Sequence, residues 1–114
     1  PFSNGKQTRT YCHIIDALPQ IINVCFFGKK FVYNIGNSDE EISATDLAYK
    51  IKKILNSQII KIKNISYPKS YPSNEPLRRC PDISNLKKEF NYKPEISLNK
   101  GLLLFKNYAL KHFK

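Results

Sequence analysis

The stretch EPLRRCPDISNLKKEF, residues 75–90, is where this chain departs from its own habits. Positive charge elsewhere is written with lysine, sixteen against three arginines, yet Arg78 and Arg79 stand side by side before a Cys-Pro-Asp step into a helical pattern. A guanidinium is a planar fork of donors that meets two phosphate oxygens at once. It is also less strongly hydrated than an ammonium, so it suits partly buried anion sites. The third arginine, Arg9, lies near the opposite end in GKQTRTY. A diphosphate gripped between the two segments accounts for the distribution, with Arg9 and Arg79 approaching one anion from two sides of a cleft and Arg78 left to solvent. Cations near a helix N-terminus are mildly unfavourable, and an anion bound at the helix that follows removes that penalty.

Upstream of this stretch, residues 66–81 hold four prolines with serines and tyrosines and read as a functional loop carrying Tyr67 and Tyr71. Before it, QIIKIKNI alternates apolar and polar positions as a half-buried strand does. The most secure helix begins at Ser43, where Asp46 three residues later resembles a capping box and Ala44, Leu47, Ala48, Ile51, Ile54 and Leu55 recur at helical spacing. KFVYNIGN reads as an apolar strand, and TRTYCHI as another after a turn at SNGKQ. Between them, Asp16 caps a predicted helix to about Phe26 with Pro19 in its first turn and Ile14, Leu18, Ile21 or Ile22, and Cys25 on one face. Downstream, Asp82 or Ser84 starts a short helix to about Phe90. Ser97 caps the last one, whose buried stripe is Leu98, Leu102, Phe105, Ala109 and Phe113. The order is mixed α/β with no internal repeat.

The 114 residues make one domain, or part of one, with 41% hydrophobic content for a modest core. Nineteen basic residues against nine acidic ones leave a formal charge of +10, which favours anionic partners without choosing among nucleic acid, phosphorylated metabolites and anionic lipid. Three separated cysteines, Cys12, Cys25 and Cys80, argue against a disulfide framework or zinc knuckle and for a reducing, cytoplasmic setting. No stretch is long and apolar enough for a membrane span, and the start at Pro1 reads as a piece of something longer. No catalytic set is legible. His13 sits in a strand-like run as a packed or hydrogen-bonded residue, Asp39, Glu40 and Glu41 read as a solvated acidic loop, and the four glycines form neither Gly-x-Gly-x-x-Gly nor a P-loop.

Three blocks in order then carry a family resemblance: NGKQTRTYCHIIDAL, VYNIGN followed by EISATDLAYKI, and EPLRRCPDISNLKKEFNYKPEISLNKGL. Nearly the whole chain resembles the C-terminal region of the extended short-chain dehydrogenase/reductases that modify nucleotide sugars. It is most similar in style to the UDP-glucuronate decarboxylase and dTDP-glucose 4,6-dehydratase group. The resemblance implies an α/β fold in which residues 1–114 are a small mixed substrate-binding lobe of an NAD-dependent epimerase, dehydratase or decarboxylase. An N-terminal Rossmann domain of the same enzyme, largely absent from this chain, would bind NAD and supply a Tyr-x-x-x-Lys pair with a Ser or Thr. The lobe itself would bind no cofactor and perform no hydride chemistry.

By position, Arg9 and Arg79 match the family's diphosphate-contacting arginines, Gln7 lies beside the nucleotide, and Asn37 closes the YNIGN strand as a further contact or a turn-fixing residue. Asp16 and Asp82 look architectural. The implied partners are a UDP- or dTDP-sugar and the Rossmann domain, the parent enzyme being a homodimer with no membrane association. The family commonly has a tyrosine where His13 stands and an acidic residue at Lys100, departures that bear on the subfamily more than on substrate class. Two other readings are a basic nucleic-acid-binding module, which would need aromatic residues arranged on a sheet, and an inactive scaffold descended from the enzyme.

Overall fold

The computed structural model describes residues 4–72 and 74–113. Ser3, which opens the turn read at SNGKQ, lies outside them. The order is β1 (Thr8–Thr10), α1 (Ile14–Phe27), β2 (Glu41–Ser43), α2 (Ala44–Leu55), β3 (Arg78–Arg79), α3 (Ser84–Phe90) and α4 (Leu98–His112). The strands form one small mixed sheet in the order β2-β1-β3, antiparallel between β1 and β2 and parallel between β1 and β3. The α/β class read from the sequence is therefore the observed one.

The turn into β1 is made by Asn4, whose Oδ1 accepts the Lys6 N–H at 3.0 Å, and by Gly5 at φ 67°, a left-handed conformation that suits glycine. Helix α2 starts as its cap implies: Ser43 Oγ accepts the Asp46 N–H at 3.0 Å and donates to Asp46 Oδ2 at 2.6 Å. It ends on Asn56 in the left-handed region. Ser97 caps α4 by accepting the Lys100 N–H at 3.2 Å. Asp82 serves α3 from one residue further out, accepting the Ser84 N–H at 2.9 Å.

Several sequence expectations are corrected. Helix α1 begins at Ile14, with His13 as its cap: the His13 Nδ1 accepts the Ile15 N–H at 3.2 Å. Asp16 is a buried tie instead, its carboxylate accepting the Glu95 and Ile96 N–H groups at 3.2 and 2.9 Å and fastening α1 to the turn before α4. The earlier start moves Pro19 out of the first turn into the helix interior. Neither KFVYNIGN nor QIIKIKNI forms a strand; the latter makes only an isolated bridge at Ile65. Residues 28–34 are held instead by side chains. Tyr33 Oη donates to Glu89 Oε2 at 2.6 Å and accepts the Lys29 and Lys30 N–H groups, while Asn34 Nδ2 donates to the Asp82 carbonyl.

The core is small: Ile83, Leu86 and Tyr92, with Val24, Tyr33, Ile35 and Phe90 packed against them. Only Val24 of α1 reaches it. The face expected to be buried, Ile14, Leu18, Ile21, Ile22 and Cys25, is exposed, as are Phe105 and Phe113 of the stripe assigned to α4. Helix α4 lies beside α2, and their apolar side chains line a groove of about 320 Å³. The radius of gyration is 16.8 Å, where a compact domain of this length has about 13 Å.

Candidate functional site

In a strand, successive side chains point to opposite faces. That alternation sorts the two adjacent arginines. Register sets Thr8 opposite Arg78 and Arg9 opposite Arg79 across the parallel pair. On one face, Glu41 of β2 accepts Arg78 Nε at 3.0 Å and Nη2 at 2.8 Å, and Thr8 Oγ1 donates to the same carboxylate. Arg78, read as solvated, is thus exposed but ion-paired. On the other face, Arg9 and Arg79 stand as direct cross-strand neighbours, although residues 10–78 separate them in the chain.

These two arginines border an open concavity of about 510 Å³, lined also by Thr10, Cys12, Ile35, Gly36, Asn37, Cys80 and Pro81. Its walls approach closely at Gly36, where an added Cβ would stand 2.9 Å from Pro81 Cγ. Asn37 is buried, and its Oδ1 accepts the Asp39 N–H at 2.8 Å, so it does fix the turn as well as line the concavity. Gln7 is not among the lining residues; its carbonyl accepts the Ala44 N–H where β1 meets α2. The Cys12 thiol lies 3.8 Å from the Tyr92 hydroxyl, and burial pushes its pKa above the ordinary thiol value.

The sequence reading missed Glu75. Its Oε1 accepts Arg9 Nη2 at 2.6 Å and its Oε2 accepts Arg79 Nη2 at 2.9 Å, so one carboxylate spans both guanidiniums. A carboxylate near an arginine pair in the quoted stretch was the available signal. The acidic run is also not free in solvent: Asp39 pairs with Lys87 at 3.0 Å, Glu40 accepts the Leu98 N–H, and Glu41 holds Arg78. Arg79 belongs to β3, and α3 begins only at Ser84, so Arg79 stands on a sheet face and not at the helix N-terminus where the sequence reading put it. One Tyr-x-x-x-Lys spacing does occur, Tyr49 to Lys53 on α2, but both side chains are exposed and border a different concavity with Asn99.

No family model matches the chain. It is 31% identical to UDP-glucuronic acid decarboxylase 3 of Arabidopsis thaliana over 88% of its own length and 28% of the relative's. It is likewise 31% identical to the UDP-N-acetyl-alpha-D-glucosaminuronate decarboxylase of Bacillus cytotoxicus, over 89% and 32%. The UDP-glucuronic acid 4-epimerase of Bacillus cereus, solved with UDP-glucuronic acid and NAD, superposes with a TM-score of 0.78 at 27% identity, over 98% of this chain and 35% of that one. The chain is a distant homologue of the NAD-dependent nucleotide-sugar epimerases, dehydratases and decarboxylases. It spans about a third of the length of these relatives. The fold also matches the dTDP-glucose 4,6-dehydratase of Bacillus anthracis, solved with NAD, at a TM-score of 0.82 and 21% identity over 97% of this chain and 34% of that one. A partial region of extended short-chain dehydrogenase/reductase architecture is what this homologue displays. No helix among its described residues is long and apolar enough to cross a membrane.

Proposed function

We propose that residues 1–114 form the nucleotide-sugar-binding lobe of an NAD-dependent epimerase, dehydratase or decarboxylase, in which Arg9 and Arg79 grip the substrate diphosphate. The observation that carries this reading is their direct pairing across β1 and β3 at the rim of one concavity. Two forked donors on one sheet face suit two linked phosphoryl groups better than a regularly spaced polynucleotide backbone. Asn37 and Gln7 complete the proposed set, Asn37 from the concavity wall and Gln7 from the foot of β1.

The reaction itself belongs to a Rossmann domain of the same enzyme. The four glycines here sit in a turn, after α1, in the concavity wall and within α4, so no run of backbone amides cradles a pyrophosphate, and these residues do not fit NAD. Support for such a partner domain comes from α1, which is apolar on its outer side, and from the adjoining segment at Phe31 and Val32, both widely exposed. A broad exposed apolar surface marks a face that packs against a partner.

Titration of the chain with UDP- and dTDP-sugars, followed by NMR, tests the binding role: shifts are expected at Arg9, Asn37 and Arg79. Arg79→Ala is expected to weaken binding by about 1–3 kcal/mol, the loss of a charged hydrogen-bonding partner. An unchanged dissociation constant in that variant removes Arg79 from the site. Oligonucleotide binding that strengthens with length and has a steep salt slope, with no response to UDP-sugars, supports a nucleic-acid module instead.

A further inference from the structure

Like charges set opposite one another on neighbouring strands, about 5 Å apart, repel. The Arg9–Arg79 pair is held against that repulsion by Glu75, whose two oxygens are divided between the two guanidiniums. Glu75 does not line the concavity that both arginines border. Its carboxylate meets the arginines at their Nη2 atoms, 2.6 Å from Arg9 and 2.9 Å from Arg79. Pro76 follows it directly, and a residue before proline is confined to extended backbone, which limits where that carboxylate can go.

The two arginines depend on it unequally. Arg9 is only 24% exposed and is also anchored by Nη1, which donates to the Thr8 carbonyl at 2.7 Å and the Leu77 carbonyl at 3.4 Å. Arg79 is 57% exposed, and among the described residues Glu75 is the only hydrogen-bond partner of its guanidinium. A guanidinium carries five N–H donors, so engaging one Nη leaves Arg79 with an unused edge. Two positive charges and one negative leave a net single positive charge at the rim.

We infer that Glu75 is a positioning residue for diphosphate recognition, holding Arg79 beside the already anchored Arg9 so that both forks meet the same anion. The inference rests on the reading of the concavity as a diphosphate site. It assigns Glu75 the opposite sign from a competing internal anion: removing the carboxylate weakens binding, because Arg79 then loses its tether and must be ordered by the ligand.

The test uses the full chain, calorimetric titration with UDP, dTDP and UMP, and NMR of the arginine side-chain N–H groups. Glu75→Gln is expected to weaken UDP and dTDP binding by about tenfold and UMP, with one phosphate, by less. Glu75→Asp, which keeps the charge but shortens the reach, recovers part of the loss. In an Arg79→Ala background, adding Glu75→Gln changes affinity by less than about twofold, because Arg9 keeps its carbonyl anchors and Glu75 has no Arg79 left to tether. The Arg79 side-chain signal, slowed in exchange by the carboxylate, is lost in Glu75→Gln. Should that variant not fold, Glu75→Asp carries the same comparison.

Affinity for UDP that is unchanged or tighter in Glu75→Gln overturns the positioning role while leaving the diphosphate reading intact; tighter binding identifies a competing anion. An unmodified chain that binds neither UDP nor dTDP overturns both.

Discussion

Asp16 shows how much one side chain can decide. As a buried carboxylate accepting two backbone N–H groups from the turn at 95–96, it fixes the angle between α1 and the start of α4. Its residue type signals a helix cap equally well, and nothing local separates the two roles. Truncation leaves the buried Ile96 amide without its partner, and Asp16→Ala is expected to cost about 2–3 kcal/mol. The check is a lower urea midpoint at unchanged slope. Arg78 and Arg79 make the same point from the other side. Adjacent and identical in the sequence, they take different jobs because strand alternation turns one toward Glu41 and the other toward Glu75.

At the level of elements, α2 and α4 were legible because their determinants are local: a serine cap and a recurring apolar pattern. Ser43→Ala is expected to cost about 1 kcal/mol, read as a lowered thermal midpoint. The non-helical connections follow different rules. KFVYNIGN, residues 30–37, is apolar enough for a strand, but no neighbour among the described residues completes a ladder, and the Tyr33–Glu89 clamp holds the segment instead. This clamp sets a pH dependence. The hydrogen bond from Tyr33 holds the Glu89 carboxyl below the ordinary glutamate range, Thr8 and then Arg78 do the same for Glu41, and Lys87 for Asp39. Each favours the ionised form in the folded state. Their stabilisation is therefore present above the ordinary value of about 4.3 and is lost as pH falls through the depressed folded values. Denaturation at stepped pH is expected to show stability level down to about pH 5 and falling below it, with a shallower fall in Glu89→Gln.

Taken whole, the molecule has a small core and a broad exposed apolar surface. Its accessible surface is 8828 Å², where a monomer of this mass exposes about 6,400 Å². The excess, on the order of 2,000 Å², is the size of a substantial interface. Ile14, Ile15, Leu18, Ile22, Phe26 and Phe27 of α1 contribute to it. Charging this side is expected to leave the isolated chain's stability almost unchanged, because no core contact is lost. Ile22→Asp with Phe26→Asp is expected to shift stability by less than about 1 kcal/mol, read as a nearly unchanged urea midpoint. A loss of several kcal/mol in the double variant shows that this side is packed after all.

The amino-acid order alone determined the caps of α2 and α4, the mixed class and the concentration of arginine at two distant places, since each depends on residues within a few positions of one another; the loop read over 66–81 instead contains β3 at Arg78–Arg79. Tertiary structure decided the rest. Whether an apolar run becomes a strand depends on a neighbour to pair with, which face of α1 turns inward depends on where Asp16 is tied, and the meeting of Arg9, Arg79 and Glu75 depends on a parallel register closed across residues 10–78. Those are long-range contacts, and the hydrogen bonds and charges that select them exist only once the chain has brought its ends together.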